Sequence, residues 1–214
     1  MLEISIPVRQ GENACDIYLD GNQKEKKKGF YTFCLGSQAV LLTGSHRQNL
    51  SQRTCRLLVS ALGRLDRAFV TGCSSGADRS FRYALARSGY QENTFIACAS
   101  SGRLSRCYGL FGAVVVPDGL SAMAAIRRRT LWMVKRCSLV ILFADDPVSG
   151  SWGRDSRFVF RCALYHLKPL FIVTGHPPGK SSYYRIFPCS FFGVADGYWI
   201  IPHNFAGRSL DEDC

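Results

Sequence analysis

The sequence predicts an α/β protein: an open, mainly parallel sheet with helices on both faces, preceded by a small N-terminal β ribbon. Three observations predict it. Between residues 39 and 174, short apolar runs alternate with longer amphipathic stretches. The runs are nearly continuous in Val, Ile, Leu and Phe, as in strands buried on both faces. Three of them end in turns rich in Gly, Ser and Asp.

Residues 1–38 stand apart as an N-terminal extension. Strand-like runs at 2–8, 14–19 and 30–35 are separated by Gly11-Glu12-Asn13 and by the segment from Gly21 to Gly29. That spacing describes an antiparallel ribbon or hairpin at the edge of the main sheet. Residues 39–214 form the main domain with its C-terminal tail.

The main domain opens with a strand at 39–43 and the turn Gly44-Ser45-His46. A helix over 51–65 places Leu57, Leu58, Ala61, Leu62 and Leu65 on one face. A strand at 68–71 runs into Gly72-Cys73-Ser74-Ser75-Gly76 and a helix over 77–88, buried through Phe81, Ala84 and Leu85. A strand at 94–99, a polar stretch with Arg103 and Arg106, and a strand at 113–116 stopped by Pro117 follow. Next come a helix over 120–136, a strand at 139–143 and a loop over 145–156. A helix over 155–166 and a parallel strand at 169–173 follow, and 198–201 adds an edge strand before a polar tail.

Ligands of such sheets sit beyond the carboxyl ends of the strands, where the strand order reverses. Three segments converge there: 44–46, 72–79 and 145–156. Gly72 and Gly76 let a ligand approach the main chain closely. The helix beginning near Ala77 offers free N–H groups to an anion, and Asp78 suits its dipole. Ser45, Ser74 and Ser75 are hydroxyl donors in these turns, or simply turn formers. Arg79 reaches either an anion or its own helix surface. Of Arg127, Arg128 and Arg129, only one or two face the cleft, and Arg129 is the expected one. Trp152 stacks on a base or caps the sheet edge. His46 is a hydrogen-bonding candidate; His166, His176 and His203 have no catalytic or metal spacing.

The 214-residue chain carries a formal charge of +11, which favours an anionic partner without choosing among nucleotide, nucleic acid and acidic protein. Lys24, Lys26, Lys27 and Lys28 read as a solvated loop. Ten cysteines lie at 15, 34, 55, 73, 98, 107, 137, 162, 189 and 214, with no C-x-x-C element. Cys34, Cys98, Cys137 and Cys162 fall in apolar runs, where cysteine acts as a small core residue. The pattern predicts free thiols in a reducing cytosol, with no metal site. Cys73 differs, because a helix start can lower its pKa, although a passive packing role is the plainer reading. No apolar run is long enough to span a membrane, and Glu3 and Arg9 interrupt any signal-peptide pattern. A cytoplasmic protein with no membrane partner is expected.

Four stretches resemble the Rossmann-like SLOG superfamily, which joins DNA-processing protein A with the LOG phosphoribohydrolases. Leu41-Leu42-Thr43-Gly44-Ser45-His46 is similar to the opening strand and its G-S-R turn. The segment 70–79, ending Gly76-Ala77-Asp78-Arg79, resembles the "SGGARGADR" turn and helix start. Arg129-Thr130-Leu131-Trp132-Met133, running into Cys137 and the strand at 139–143, looks like "R-x-x-x-M" before a strand. Gly150-Ser151-Trp152-Gly153-Arg154 is similar to the second glycine motif. The resemblance covers about residues 39–174.

It implies a Rossmann-like fold and a nucleotide or nucleotide-derived ligand held at these turns, as in a sensor for signalling or defence. The implied ligand set is Gly44, Ser45, His46, Gly72, Cys73, Ser74, Ser75, Gly76, Asp78, Arg79, Arg129, Gly150, Ser151, Gly153 and Arg154. The alternative it offers is a single-stranded DNA binder resembling DNA-processing protein A; a homo-oligomer is compatible with either. Enzymatic members cleave the N-glycosidic bond of nucleoside monophosphates with an arginine and a glutamate. Arg129 matches the arginine, but Arg157 stands at the glutamate's place, four residues beyond Gly153, and Asp155 lies two residues early. Hydrolysis is therefore disfavoured, and no cofactor or metal is implied.

Overall fold

The structure, a computed structural model, describes residues 39–203. The expected N-terminal ribbon and the tail from 204 lie outside the described residues. In chain order the elements are β1 (Val40–Gly44), α1 (Gln52–Gly63), β2 (Phe69–Gly72), α2 (Ala77–Arg87) and β3 (Thr94–Cys98). A 3₁₀ segment (Ser101–Cys107), β4 (Phe111–Val114), α3 (Ala122–Arg136) and β5 (Leu139–Phe143) follow. A two-strand ribbon, β6 (Asp145–Asp146) and β7 (Ser151–Trp152), leads to α4 (Arg154–Tyr165) and β8 (Leu170–Val173). An antiparallel hairpin, β9 (Tyr184–Phe191) and β10 (Ala195–Pro202), completes the fold.

The main sheet has the order β4-β3-β2-β1-β5-β8-β10-β9. The first six strands pair in parallel. From β1 the chain steps one way to β2, β3 and β4, then crosses back to β5 and β8 on the other side. Crossovers of this kind are right-handed, so reversing their direction moves the helices to the opposite face. Accordingly α1 packs on α2, and α3 packs on α4. The reversal lies between β1 and β5, whose register runs from Val40 opposite Leu139 to Gly44 opposite Phe143.

The core follows from the apolar strands: Val40, Leu41, Leu42, Phe69, Val70, Val140, Ile141 and Leu142 are all buried. Ser51 caps α1 by accepting from Thr54 N at 3.0 Å, and Ser121 caps α3 by accepting from Ala124 N at 3.4 Å. The helices α2 and α4 begin instead at Gly76 and Gly153, without a side-chain cap. Among the described residues no helix is long and apolar enough to cross a membrane.

Three details differ from the sequence reading. Leu57 and Leu65 are exposed, because α1 is buried through Cys55, Leu58, Val59 and Leu62. The strand expected at 113–116 begins at Phe111 and ends at Val114. The strand expected at 198–201 is not an edge. It belongs to β10, which pairs with β8 on one side and β9 on the other. Among the described residues the edge on this side is β9, whose residues are mostly exposed and which tolerates Pro188 because an outermost strand needs fewer donors. Phe192 and Gly193 turn the hairpin with φ of 52° and 66°, the positive values a tight hairpin turn demands.

Candidate functional site

At the carboxyl ends of β1, β2 and β5 the chain builds two adjoining structures: a buried polar knot and an open cleft. The knot follows β2. Asp78, in the first turn of α2, accepts from the Thr43 hydroxyl at 2.8 Å and lies 3.8 Å from Arg129 Nη2. Arg129 comes from α3 and donates through Nη1 to Ser74 Oγ at 3.1 Å and to Cys73 Sγ at 3.2 Å. Arg82, also from α2 and fully buried, donates to the carbonyls of Gly72 and Ser74. Burial pushes the Asp78 carboxyl up, and Arg129, Arg82 and the Thr43 hydroxyl oppose that rise.

The glycines here make room for the protein itself. A Cβ on Gly72 would lie 2.3 Å from Asp78 Oδ2 and 2.9 Å from Arg129 Cζ. Gly76, at φ +63°, packs against the 45–46 backbone; a Cβ there would meet Ser45 O at 2.4 Å. Ala77 N donates to Ser45 O at 3.1 Å and Ser75 Oγ to His46 O at 2.9 Å, stapling the two turns together. On the side a Cβ would take, the space beside Gly72 and Gly76 holds a carboxylate, a guanidinium and main chain.

Cys73 joins the knot to a row of sulfurs. Cys98 Sγ and Cys107 Sγ are 3.8 Å apart, and Arg103 Nη1 lies 4.0 Å from Cys73 Sγ. The neighbouring Cys98 thiol is the main cause that lowers Cys73 to about 4; burial opposes it, and Arg129 and the Ala99 backbone add to it. Among the described residues, no group of three His, Cys, Asp or Glu is arranged to hold a metal ion.

The cleft, about 570 Å³, lies between the turn after β1, the β6–β7 ribbon and the start of α4, with Arg127 of α3 opposite. Arg47, Arg127, Arg154, Arg157 and Arg161 line it against two carboxylates, Asp146 and Asp155. Arg47 Nη1 lies 3.5 Å from Asp146 Oδ2, and His46 Nδ1 lies 3.1 Å from Asp155 Oδ2. Arg127 sits over the Phe158 ring at 5.7 Å. The ribbon wall is fixed from below. Asp145 accepts from Gly175 N at 2.7 Å and from the Thr174 hydroxyl, and Trp152 Nε1 is 2.9 Å from Thr174 Oγ1. Trp152 packs edge-on against Phe160 at 5.1 Å.

Of the sequence-derived set, Ser45, His46, Ser151, Gly153 and Arg154 line the cleft. Gly72, Cys73, Ser74, Asp78 and Arg129 meet in the knot. Gly44 is a packing residue, since a Cβ there would lie 2.5 Å from Phe143 O. Ser75 and Gly76 hold the adjoining turn. Arg79 is exposed on the first turn of α2, and Gly150, at φ +63°, turns the ribbon. Of the three consecutive arginines, Arg127 rather than Arg129 lines the cleft. Sequence reasoning also passed over Arg47, Arg161 and Phe158 as cleft residues. Arg157 and Arg161 stand four apart on α4 beside the Gly153 turn, which is a legible signal for a shared face.

No protein-family model matches the chain, and no curated protein matches its sequence. Among solved structures, it is similar to DNA processing protein A from Helicobacter pylori, described for its single-stranded DNA binding mode. The TM-score is 0.50 at 16% identity, over 70% of this chain and 69% of that one. DNA processing protein A from Streptococcus pneumoniae gives 0.49 at 16% identity, over 70% of this chain and 53% of that one, so the chain spans about half of that protein. The first likeness agrees with the Rossmann-like fold that the sequence motifs imply.

Proposed function

We propose that the cleft binds the phosphate of a nucleotide or nucleotide-derived small molecule. The observation that carries this reading is five arginines around one cleft at the strand-order reversal, against two aspartates. Arginine forks match phosphate oxygens geometrically, and a partly enclosed site strengthens each such bond. The start of α4 supports it, because Gly153 provides no side-chain cap and the helix dipole favours an anion there. The volume falls within the range of about 300–1,000 Å³ usual for small-molecule sites. Trp152 on the ribbon wall offers a ring to a base.

A second reading is a single strand of DNA whose phosphates use the same arginines. It is supported by the charge of +11 and by the fold likeness to a protein described for binding single-stranded DNA. Salt separates the two, since a polyanion displaces many counterions and a mononucleotide few.

Calorimetry with nucleoside monophosphates and with a short single-stranded oligonucleotide, at two salt concentrations, tests both. For the first reading, Arg127→Ala weakens nucleotide binding about tenfold, ~1.4 kcal/mol, with mild salt dependence. Binding of the oligonucleotide alone, falling steeply with salt, selects the second. If neither ligand binds, or Arg127→Ala and Arg157→Ala leave every affinity unchanged, the cleft is not the site.

A further inference from the structure

We propose that Cys73, Cys98 and Cys107 form an oxidation site, in which a hydroperoxide oxidises Cys73 and Cys98 closes the product to a disulfide. The geometry singles these three out from the seven described cysteines, none of which is in a disulfide. Cys73 directly follows β2 and Cys98 ends neighbouring β3; Gly72 stands opposite Ala97 in the parallel register, so the two cysteines are the next residues along, and Cys107 ends the 3₁₀ segment that folds back over them. Two guanidinium groups face the first sulfur: Arg129 Nη1 at 3.2 Å and Arg103 Nη1 at 4.0 Å. Cys98 Sγ lies 3.8 Å from Cys107 Sγ and 3.7 Å from the Arg103 carbonyl. The seat of Cys107 depends on a glycine, because a Cβ on Gly112 would lie 2.3 Å from its sulfur.

Position alone does not make a thiol reactive; the thiolate is the nucleophile. Here the electrostatics agree with the geometry. Burial pushes Cys55 up to about 12, whereas Cys73 is lowered to about 4, chiefly by the Cys98 thiol beside it and then by Arg129. The same chain therefore holds an inert buried thiol and a buried thiolate with a second thiol beside it. The cover over the cluster is the 3₁₀ segment, with hydrogen bonds of poorer geometry than an α-helix, and Cys107 itself is 7% exposed. Local opening there admits a molecule close to water in size.

The step balances as follows. The Cys73 thiolate attacks one peroxide oxygen, the O–O bond breaks, and the departing oxygen takes a proton to leave as water or alcohol. Cys73 is then a sulfenic acid, oxidised by two electrons. The Cys98 sulfur attacks it, an S–S bond forms, the S–O bond breaks, and water leaves with the Cys98 proton. Cys107 stands next to Cys98, so exchange moves the disulfide to Cys98–Cys107 and returns Cys73 as thiolate. Every disulfide on this route contains Cys98.

The test treats the reduced protein with equimolar hydrogen peroxide, alkylates remaining thiols in denaturant, and maps disulfide-linked peptides by mass spectrometry. The expected products link Cys98 to Cys73 or Cys107 and leave Cys55 alkylated. Cys98→Ser stops the reaction at Cys73 sulfenic acid, detected with a dimedone probe. Arg103→Ala, half-buried and outside both the knot and the cleft, slows the oxidation severalfold. Disulfides that lack Cys98, oxidation of exposed Cys189 while the cluster stays reduced, or no oxidation at all would overturn the proposal. Wild-type mapping decides even where Cys98→Ser fails to fold.

Discussion

Arg129 Nη2 lies 3.8 Å from Asp78 Oδ2, and neither side chain is more than 4% exposed. The pair joins α3 to α2 at the end of β2. Breaking a buried pair from one side leaves the other charge buried and uncompensated, a loss of about 3–5 kcal/mol. Arg129→Ala is therefore expected to destabilise the fold by about that amount. Arg129→Ala combined with Asp78→Asn should recover part of it, because the uncompensated carboxylate is gone. Arg127→Ala, an exposed change, should stay within about 0.5 kcal/mol of wild type. Urea denaturation of the four proteins checks this; equal losses for Arg127→Ala and Arg129→Ala would refute it.

Gly76 and Gly89 both have positive φ, +63° and +81°, but only Gly76 is hemmed in. A Cβ at Gly76 meets backbone of Ser45 and His46 within 2.5 Å, whereas at Gly89 nothing lies within 4 Å. Gly89→Ala carries only the backbone term, about 1–2 kcal/mol. Gly76→Ala adds a clash with main chain and should cost clearly more, with loss of the staple between the two turns. Thermal unfolding of both variants distinguishes them, and a Gly76→Ala protein no less stable than Gly89→Ala would contradict the packing argument.

What the sequence made legible was whatever depends on one element alone. The strand–helix alternation and the glycine turns after the strands follow from local pattern. Phase admits only one or two of the three successive arginines to the cleft, and the apolar stripe of α3 decides which. Ala125, Arg129 and Met133 fall at i, i+4 and i+8 on α3 and are all buried, so the apolar stripe already claimed that position. Arg82 sits likewise among Phe81, Ala84 and Leu85, where its guanidinium satisfies the carbonyls of Gly72, which ends β2, and Ser74 in the turn after it. The edge strand β9 left no alternation to read, since an exposed edge need not bury either face continuously. The sulfur row was illegible for a different reason: Cys73, Cys98 and Cys107 come from separate segments that only sheet pairing and the returning 3₁₀ segment bring together.

A depressed thiol gives stability a definite pH dependence. Cys73 is lowered to about 4 when folded, against an ordinary thiol value near 8.5 in the unfolded chain. Between these values the folded state has lost the proton and the unfolded state keeps it, so stability rises with pH. The contribution is complete above about 8.5 and is lost as pH falls toward 4. Cys73→Ser removes it. The stability difference between wild type and Cys73→Ser should therefore grow from pH 5 to pH 8 in denaturant titrations. A difference that is flat, or that shrinks as pH rises, would show that Cys73 is protonated when folded.

The cleft chemistry argues against glycosidic hydrolysis. That reaction needs a carboxylate to stabilise oxocarbenium-like charge or to activate water. Arg157 lines the cleft where the resemblance places the glutamate, and it contributes the wrong charge. Asp155 faces the cleft too, but its Oδ2 is 3.1 Å from His46 Nδ1. Asp146 is held by Arg47 at 3.5 Å and accepts from Val148 N at 2.9 Å. Both carboxylates thus have partners within the protein. Incubation with nucleoside monophosphates should release no free base above the buffer control, measured by chromatography. On the proposed reading, Arg157→Glu should weaken nucleotide binding, because it reverses one of the five arginine charges lining the cleft. Base release by the wild type that disappears in Asp155→Asn would assign the hydrolytic carboxylate to Asp155 and make this an enzyme.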